Sequence, residues 1–275
     1  MSGIRGILNA DRGLIVEGDE DSFDSLFYRW VLQDNAIQIR GYGGCEDVTA
    51  ATKKLDMWQE IAPGARIIGI IDADYRSDSE LAKLDNTNCL ALTYHDAESY
   101  LCHPDLLIAL AENRKWDVPS QEEVRATIIG FVKETEVDIC HDRMARQTKS
   151  VNHVALTNSR LQHIADVAEL KETVVAMANK TNSGVSADRV AEIINEEQRK
   201  CAKAKSDIEL ALRLGKGKDL LGKFAVQFSL AKGEEGRIKV MKEVKNNLCP
   251  NDFPHIVVLA NAIRSKLATT SLAIP

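Results

Sequence analysis

No stretch of this 275-residue sequence approaches the ~20 consecutive apolar residues that a membrane-spanning helix needs. The N-terminal MSGIRGILNADRG lacks the apolar segment of a secretion signal, so neither a bilayer span nor export is expected. The six cysteines (Cys45, Cys89, Cys102, Cys140, Cys201 and Cys249) form no CxxC pair. That favours reduced thiols in a cytosolic protein over a disulfide scaffold. Cys102–His103 and Cys140–His141 fit no zinc-finger spacing, and His153 and His163 read as helix-surface residues. There is no internal repeat and no low-complexity linker. GKDLLGK at 217–223 matches a nucleotide-binding loop by letter only. Phe224 stands where Ser or Thr should hold magnesium, and helical sequence precedes it where a strand is required, so a phosphate loop is excluded.

Positive charge is scarce in the first part of the chain. Residues 1–110 hold 9 Lys/Arg against 19 Asp/Glu, and the remainder holds 26 against 22, within an overall net charge of −6. An acidic part followed by a mildly basic one argues against simple polyanion binding. Acid would repel nucleic acid unless divalent cations stood between them.

Strand and helix patterns alternate through the first hundred residues. GLIVE (13–17) reads as a short buried strand, AIQIR (36–40) as one with alternating apolar residues, ARIIGIID (65–72) as a strand buried on both faces, and NCLALTY (88–94) as a fourth strand. Between and after them, EDSFDSLFYRWVLQ, CEDVTAATKKLDMWQEIA and HDAESYLCHPDLLIALAENR carry apolar residues at helical spacing. Such alternation predicts a parallel α/β sheet with right-handed crossovers, whose ligands collect at the carboxyl ends of the strands. Beyond about residue 110 the patterns are helical. SQEEVRATIIGFVKETEVDI opens with a Ser120/Glu123 capping box, and SADRVAEIINEEQRKCAKAKSDIELALRL reads as one long helix that turns basic at Arg199, Lys200, Lys203 and Lys205. DFPHIVVLANAIRSKLA closes the chain as an apolar helix, a core or dimer element. The expected division is a catalytic α/β part over 1–110 and a helical part over 111–275.

Three strands then deliver acid to one edge of the sheet: Glu17 after the first, Asp72 and Asp74 after the third, with His95, Asp96 and Glu98 after the fourth. Glu17 and Asp21 are four apart across a strand-to-helix turn, and Asp72 and Asp74 straddle Ala73, which puts both on one side of an extended segment. Several carboxylates in one pocket push each other's pKa values up unless a cation joins them. Oxygen ligands suit Mg²⁺ or Mn²⁺ over zinc. Two such ions about 4 Å apart stabilise the attacking and leaving oxygens of a phosphodiester displacement. Each acidic stretch alone would also serve as a helix's first turn or a polar loop.

IVEG with an acid four residues after Glu17, followed by IIDAD one strand–helix–strand unit later, resembles the TOPRIM domain of topoisomerases, primases and nucleases. HDAESYL after the next strand is similar to the nucleases of the OLD (overcoming lysogenization defect) group, and more narrowly to the TOPRIM effector of the PARIS anti-phage defence system. The resemblance covers residues 13–104. It implies a four-stranded TOPRIM sheet and a metal-dependent nuclease that acts as a toxin, with tRNA cleavage favoured. It also implies metal ligation by Glu17, Asp21, Asp72, Asp74 and Glu98 and a separately encoded ABC-type ATPase partner; a homodimer when active is expected, with the apolar C-terminal helix as its interface. Nucleases of this group use a downstream lysine, here matched best by Lys218, with Lys216 as competitor; helix-terminal lysines would look the same. Lys203 and Lys205, with Lys216, are candidates for substrate contact. Two rival readings stay open: a HAD-type phosphatase, which also uses DxD at a strand end, and a non-catalytic regulator docking on an ATPase assembly.

Overall fold

The structure, a computed structural model, describes residues 12–54, 64–84, 87–148, 164, 166–180 and 186–269. Four short strands form one sheet: β1 (Arg12–Val16), β2 (Ile37–Gly41), β3 (Arg66–Ile71) and β4 (Cys89–Ala91). Their order is β2-β1-β3-β4 and every pairing is parallel, as strand–helix alternation predicts. Leu14 sits between Ile39 of β2 and Ile68 of β3, so the middle strands are apolar on both faces.

Each face has its own cover. Ile15, Ile67 and Ile71 pack with Val48 and Ala51 of α2 (Cys45–Lys53). On the opposite face Leu14, Val16, Ile68 and Ile70 meet α1 (Phe23–Leu32), whose Phe27, Tyr28 and Val31 are buried. Burying a side chain such as Phe27 contributes about 1.5–3 kcal/mol, so this stripe alone anchors the helix.

The remaining elements are helical: α3 (Asp78–Ala82), α4 (Ala97–Leu101), α5 (Pro104–Arg114), α6 (Gln121–Glu134), α7 (Glu136–Thr148), α8 (Val167–Lys180), α9 (Ala187–Ala204), α10 (Ile208–Leu214), α11 (Gly217–Gln227), α12 (Gly233–Asn247) and α13 (Pro254–Thr269). None of the described helices is long and apolar enough to cross a membrane. The largest core cluster runs from Leu14 to Leu267, so the late helices complete the core that the sheet begins. Two hydrogen bonds tie them to α1: Trp30 Nε1 donates to the Leu248 carbonyl at 3.0 Å, and Arg264 donates to the Leu32 carbonyl at 3.0 Å. A smaller cluster joins α7, α8 and α9 around Met144, Leu170 and Ile194.

Three helical segments break where the sequence pattern alone suggests continuity. HDAESYLCHPDLLIALAENR divides into α4 and α5 because Pro104, at the first position of α5, has no N–H for a continuing helix. The run beginning SADRV divides into α9 and α10 at Asp207, whose side chain accepts from Leu210 N and caps the second helix. The segment beginning SQEEV divides at Thr135, past the C-terminus of α6, and its Ser120/Glu123 capping box is present. Of CEDVTAATKKLDMWQEIA, residues 45–53 are helical, and 55–62 lie outside the described residues, as do His153 and His163.

Candidate active site at the carboxyl edge of the sheet

Because β1 and β3 pair directly, the residues that follow them emerge side by side. Glu17 comes straight after β1 and Asp72 straight after β3, and Glu17 Oε1 accepts a 3.4 Å hydrogen bond from the Asp72 backbone N–H. Gly18 then turns the chain with a φ of +83°, a region that side chains disfavour, while its N–H bonds the Gly43 carbonyl at 2.7 Å. That turn brings Ser22 to the N-cap of α1, where its hydroxyl accepts from Ser25 N at 3.3 Å. The first turn of α1 delivers Asp24 to the same place.

The other walls come from later elements. Glu98, in the first turn of α4, is buried, and its Oε1 accepts from Arg237 of α12 at 2.6 Å. Its second oxygen is buried without a hydrogen-bond partner. Lys218, near the start of α11, places Nζ 3.7 Å from Asp72 Oδ2. Asp96 joins from beneath: it is buried and caps α4, and its Oδ2 accepts from the Lys218 backbone N–H at 3.1 Å. A cleft of about 250 Å³ opens over Glu17, Asp24, Glu98, Lys218 and Arg237.

Five carboxylates (Glu17, Asp24, Asp72, Asp96 and Glu98) thus surround two cations, Lys218 and Arg237. Burial, reinforced by the neighbouring acids Glu17 and Asp96, pushes Asp24 up to about 7. Burial with Asp96 and Asp24 pushes Glu98 up to about 8. Asp72 rises well above the ordinary carboxylate range for the same reasons, burial first. Glu17 is raised by burial, opposed by its bond from Asp72 N–H. Burial works against the charge on Lys218, yet Asp72, Glu98, Asp96 and Asp24 outweigh it and hold the ammonium more firmly protonated than an ordinary lysine.

Of the residues singled out in the sequence, Glu17, Asp72, Glu98 and Lys218 meet here. Asp74 takes a φ of +44°, ending the extended alternation that would align it with Asp72, and its carboxylate pairs with Arg76 at 3.1 Å. It still stands close enough to raise Glu17. Asp21 lies exposed in the turn before α1, its amide bonded to Asp19 Oδ1, and it does not line the cleft. Lys216 points elsewhere, 2.9 Å from Asp142 and 5.5 Å above the Tyr75 ring. Lys203 and Lys205 are exposed at the end of α9, away from the cleft walls.

Asp24 and Arg237 went unread in the sequence, although each left a signal there. Asp24 stands three, four and seven residues before Phe27, Tyr28 and Val31, and Arg237 stands likewise before Val240, Met241 and Val244. A charge on an apolar helical stripe is forced toward the core and needs a reason to be there. Asp96, which the sequence places with Glu98 after the fourth strand, is the N-cap of α4.

Among the described residues, no three His, Cys, Asp or Glu side chains are already arranged to hold a metal ion. Lys218 and Arg237 lie against the acids in that space. The donor chemistry nonetheless fits a hard divalent cation: oxygen atoms throughout, an excess of buried negative charge, and an unpartnered Glu98 Oε2. No family model, curated protein or solved structure matches this chain.

Proposed function

We propose that this protein is a metal-dependent nuclease with a TOPRIM-like sheet, the toxic effector of a bacterial anti-phage system of the PARIS kind. The observation that carries the reading is the surplus of buried carboxylates at the carboxyl edge of the sheet, contributed by β1, β3, α1 and α4 and faced by one lysine and one arginine. A structural network would be balanced, since each uncompensated buried charge costs several kcal/mol. Imbalance of this sign is what a site for divalent cations and a phosphate would leave.

Glu17, Asp24, Asp72 and Glu98 would hold Mg²⁺ or Mn²⁺, with Asp21 and Asp74 further out. Such ions supply charge stabilisation at the attacking and leaving oxygens of a phosphodiester. Lys218 and Arg237 open onto the cleft and would each contact a non-bridging phosphate oxygen as charge builds there. The cleft is open to solvent, consistent with a polymeric substrate entering from one side; RNA, and tRNA within it, follows from the family resemblance. The same resemblance supplies the separate ABC-type ATPase that restrains the effector; the scattered cysteines favour a cytoplasmic setting, and a homodimer is proposed as the active form.

The test is cleavage of tRNA and of single-stranded DNA by the purified protein with Mg²⁺, Mn²⁺ or EDTA, beside Glu17→Gln. Metal-dependent cleavage, lost by orders of magnitude in a Glu17→Gln protein of unchanged circular dichroism, is the expected result. Cleavage that persists in EDTA, or a folded Glu17→Gln protein of full activity, overturns the reading.

A further inference from the structure

Asp96, like Asp72, does not line the cleft, and its hydrogen bonds are to the protein's own groups. Its Oδ1 accepts from the Ser99 backbone N–H at 2.9 Å and from the Ser99 hydroxyl at 2.7 Å, capping α4. Its Oδ2 accepts from the Lys218 backbone N–H at 3.1 Å, 122 residues further along the chain, capping α11. The first amides of a helix have no acceptor within it, so one side chain here satisfies donors of two helices. Those helices carry Glu98 and Lys218.

Gly217 shows how closely the two ends are pressed together. A Cβ there would lie 2.0 Å from Asp96 Oδ1, 2.3 Å from Ser99 N and 2.4 Å from Ser99 Oγ, so no larger residue fits without pushing α11 away. Neighbouring bonds hold the same seam: His95 N donates to the Leu212 carbonyl at 3.3 Å, and Arg213 Nε donates to the Thr93 carbonyl at 3.2 Å.

We infer that Asp96 is a positioning residue: by capping α4 and α11 with one carboxylate, it sets Lys218 and Glu98 in register with Asp72 across the junction between the sheet and the late helices. Its role in catalysis rests on the nuclease reading above; its role in placing Lys218 does not. A shift of about 1 Å in a charged group is enough to cost a site much of its rate, so the cap acts on turnover through Lys218 and not by touching substrate.

Asp96→Ser separates the two caps. Serine is a good N-cap and keeps the bond to Ser99 N, but its single short hydroxyl cannot also reach Lys218 N. In amide hydrogen exchange, Ser99 and Lys218 should both be protected in the wild type. In Asp96→Ser, Ser99 should stay slow while Lys218 exchanges roughly tenfold faster or more, the loss expected for a bond to a charged acceptor. The ammonium resonance of Lys218, sharpened by its contact with Asp72, should broaden in the same variant. Gly217→Ala, which leaves Asp96 intact, should reproduce both changes. On cleavage, Asp96→Ser should lower kcat at nearly constant KM, and the loss should shrink to within about twofold in a Lys218→Ala background, because the two act through one group.

Unchanged exchange at Lys218 in Asp96→Ser overturns the positioning role whatever the activity. An equal loss in kcat with and without Lys218 overturns it as well. A wild type inert on every polynucleotide would sink the nuclease reading instead, while the two amides and the ammonium signal still decide whether Asp96 places Lys218.

Discussion

Replacing Asp24 with asparagine should make the metal-free protein more stable, contrary to the usual outcome at a buried site. Asp24 is held at about 7, against 3.8 for an ordinary aspartate, chiefly by burial. Roughly three pKa units at 1.36 kcal/mol each set a ceiling of about 4 kcal/mol for the cost of ionising it in the folded state. Its carboxylate lines an open cleft and has Lys218 and Arg237 nearby, so about 1–2 kcal/mol is the realistic figure. The folded-state pKa is raised, so the stability tied to the proton is present below about pH 4 and lost as pH rises through about 7. Asparagine keeps the shape and removes the charge. In EDTA at pH 8, Asp24→Asn should therefore melt about 2–6 °C above wild type, with the gap closing by pH 4. The wild type should recover the difference when Mg²⁺ is added, and the variant should recover less. Calorimetry across that pH range is the assay. An Asp24→Asn protein that melts lower than wild type at pH 8 would mean that the surrounding cations already balance the cluster, and the argument for a missing divalent cation would fail.

Mg²⁺ or Mn²⁺ at a hundredfold excess over Kd should stabilise the wild type by about 2.7 kcal/mol, and Asp72→Asn should blunt the response; equal stabilisation in scanning calorimetry refutes the ligand assignment. Lys218→Ala should slow cleavage less than Glu17→Gln, since it assists transition-state charge only; the kcat ratio of the two variants decides this. His255, held down at about 4 by burial and by His103 stacked 4.1 Å away, should cost stability as pH falls from about 6.5 toward 4, because the unfolded chain takes up a proton that the folded one refuses. Urea titrations at pH 7 and 4.5 should show a smaller acid loss in His255→Phe than in wild type. Glu197 is fully buried, 3.1 Å from Arg143 and 2.9 Å from Lys200, so Arg143→Met should destabilise by about 3 kcal/mol; a loss below about 1 kcal/mol in chemical denaturation would show that Lys200 alone suffices.

The sheet was legible in the sequence because its strands are buried on both faces. Runs such as LIV and RIIGII have only one stable placement between helices, and the acids that close them are carried to one edge by parallel pairing. The seam between α4 and α11 was not legible. It depends on one carboxylate meeting an amide 122 residues away and on the missing side chain of Gly217, neither of which leaves a periodic trace. The spacing of four from Glu17 points to Asp21, but the turn through Gly18 spends that spacing on reversing the chain, and α1, which carries Asp24, begins only at Phe23. Asp74 falls out of line with Asp72 for a similar reason: the period of two belongs to extended backbone, and the strand stops at Ile71.

The distance along the chain between the acids and their counter-ions has a consequence for synthesis. Glu17, Asp24, Asp72, Asp96 and Glu98 have all been made before residue 100, whereas Lys218 and Arg237 follow more than a hundred residues later. A growing chain that has paired its four strands therefore carries a nest of acids opposed by little besides Arg76. At neutral pH that nest resists closing, and it relaxes only when α11 and α12 emerge and dock. By that order the cleft closes only after Lys218 and Arg237 have both been made.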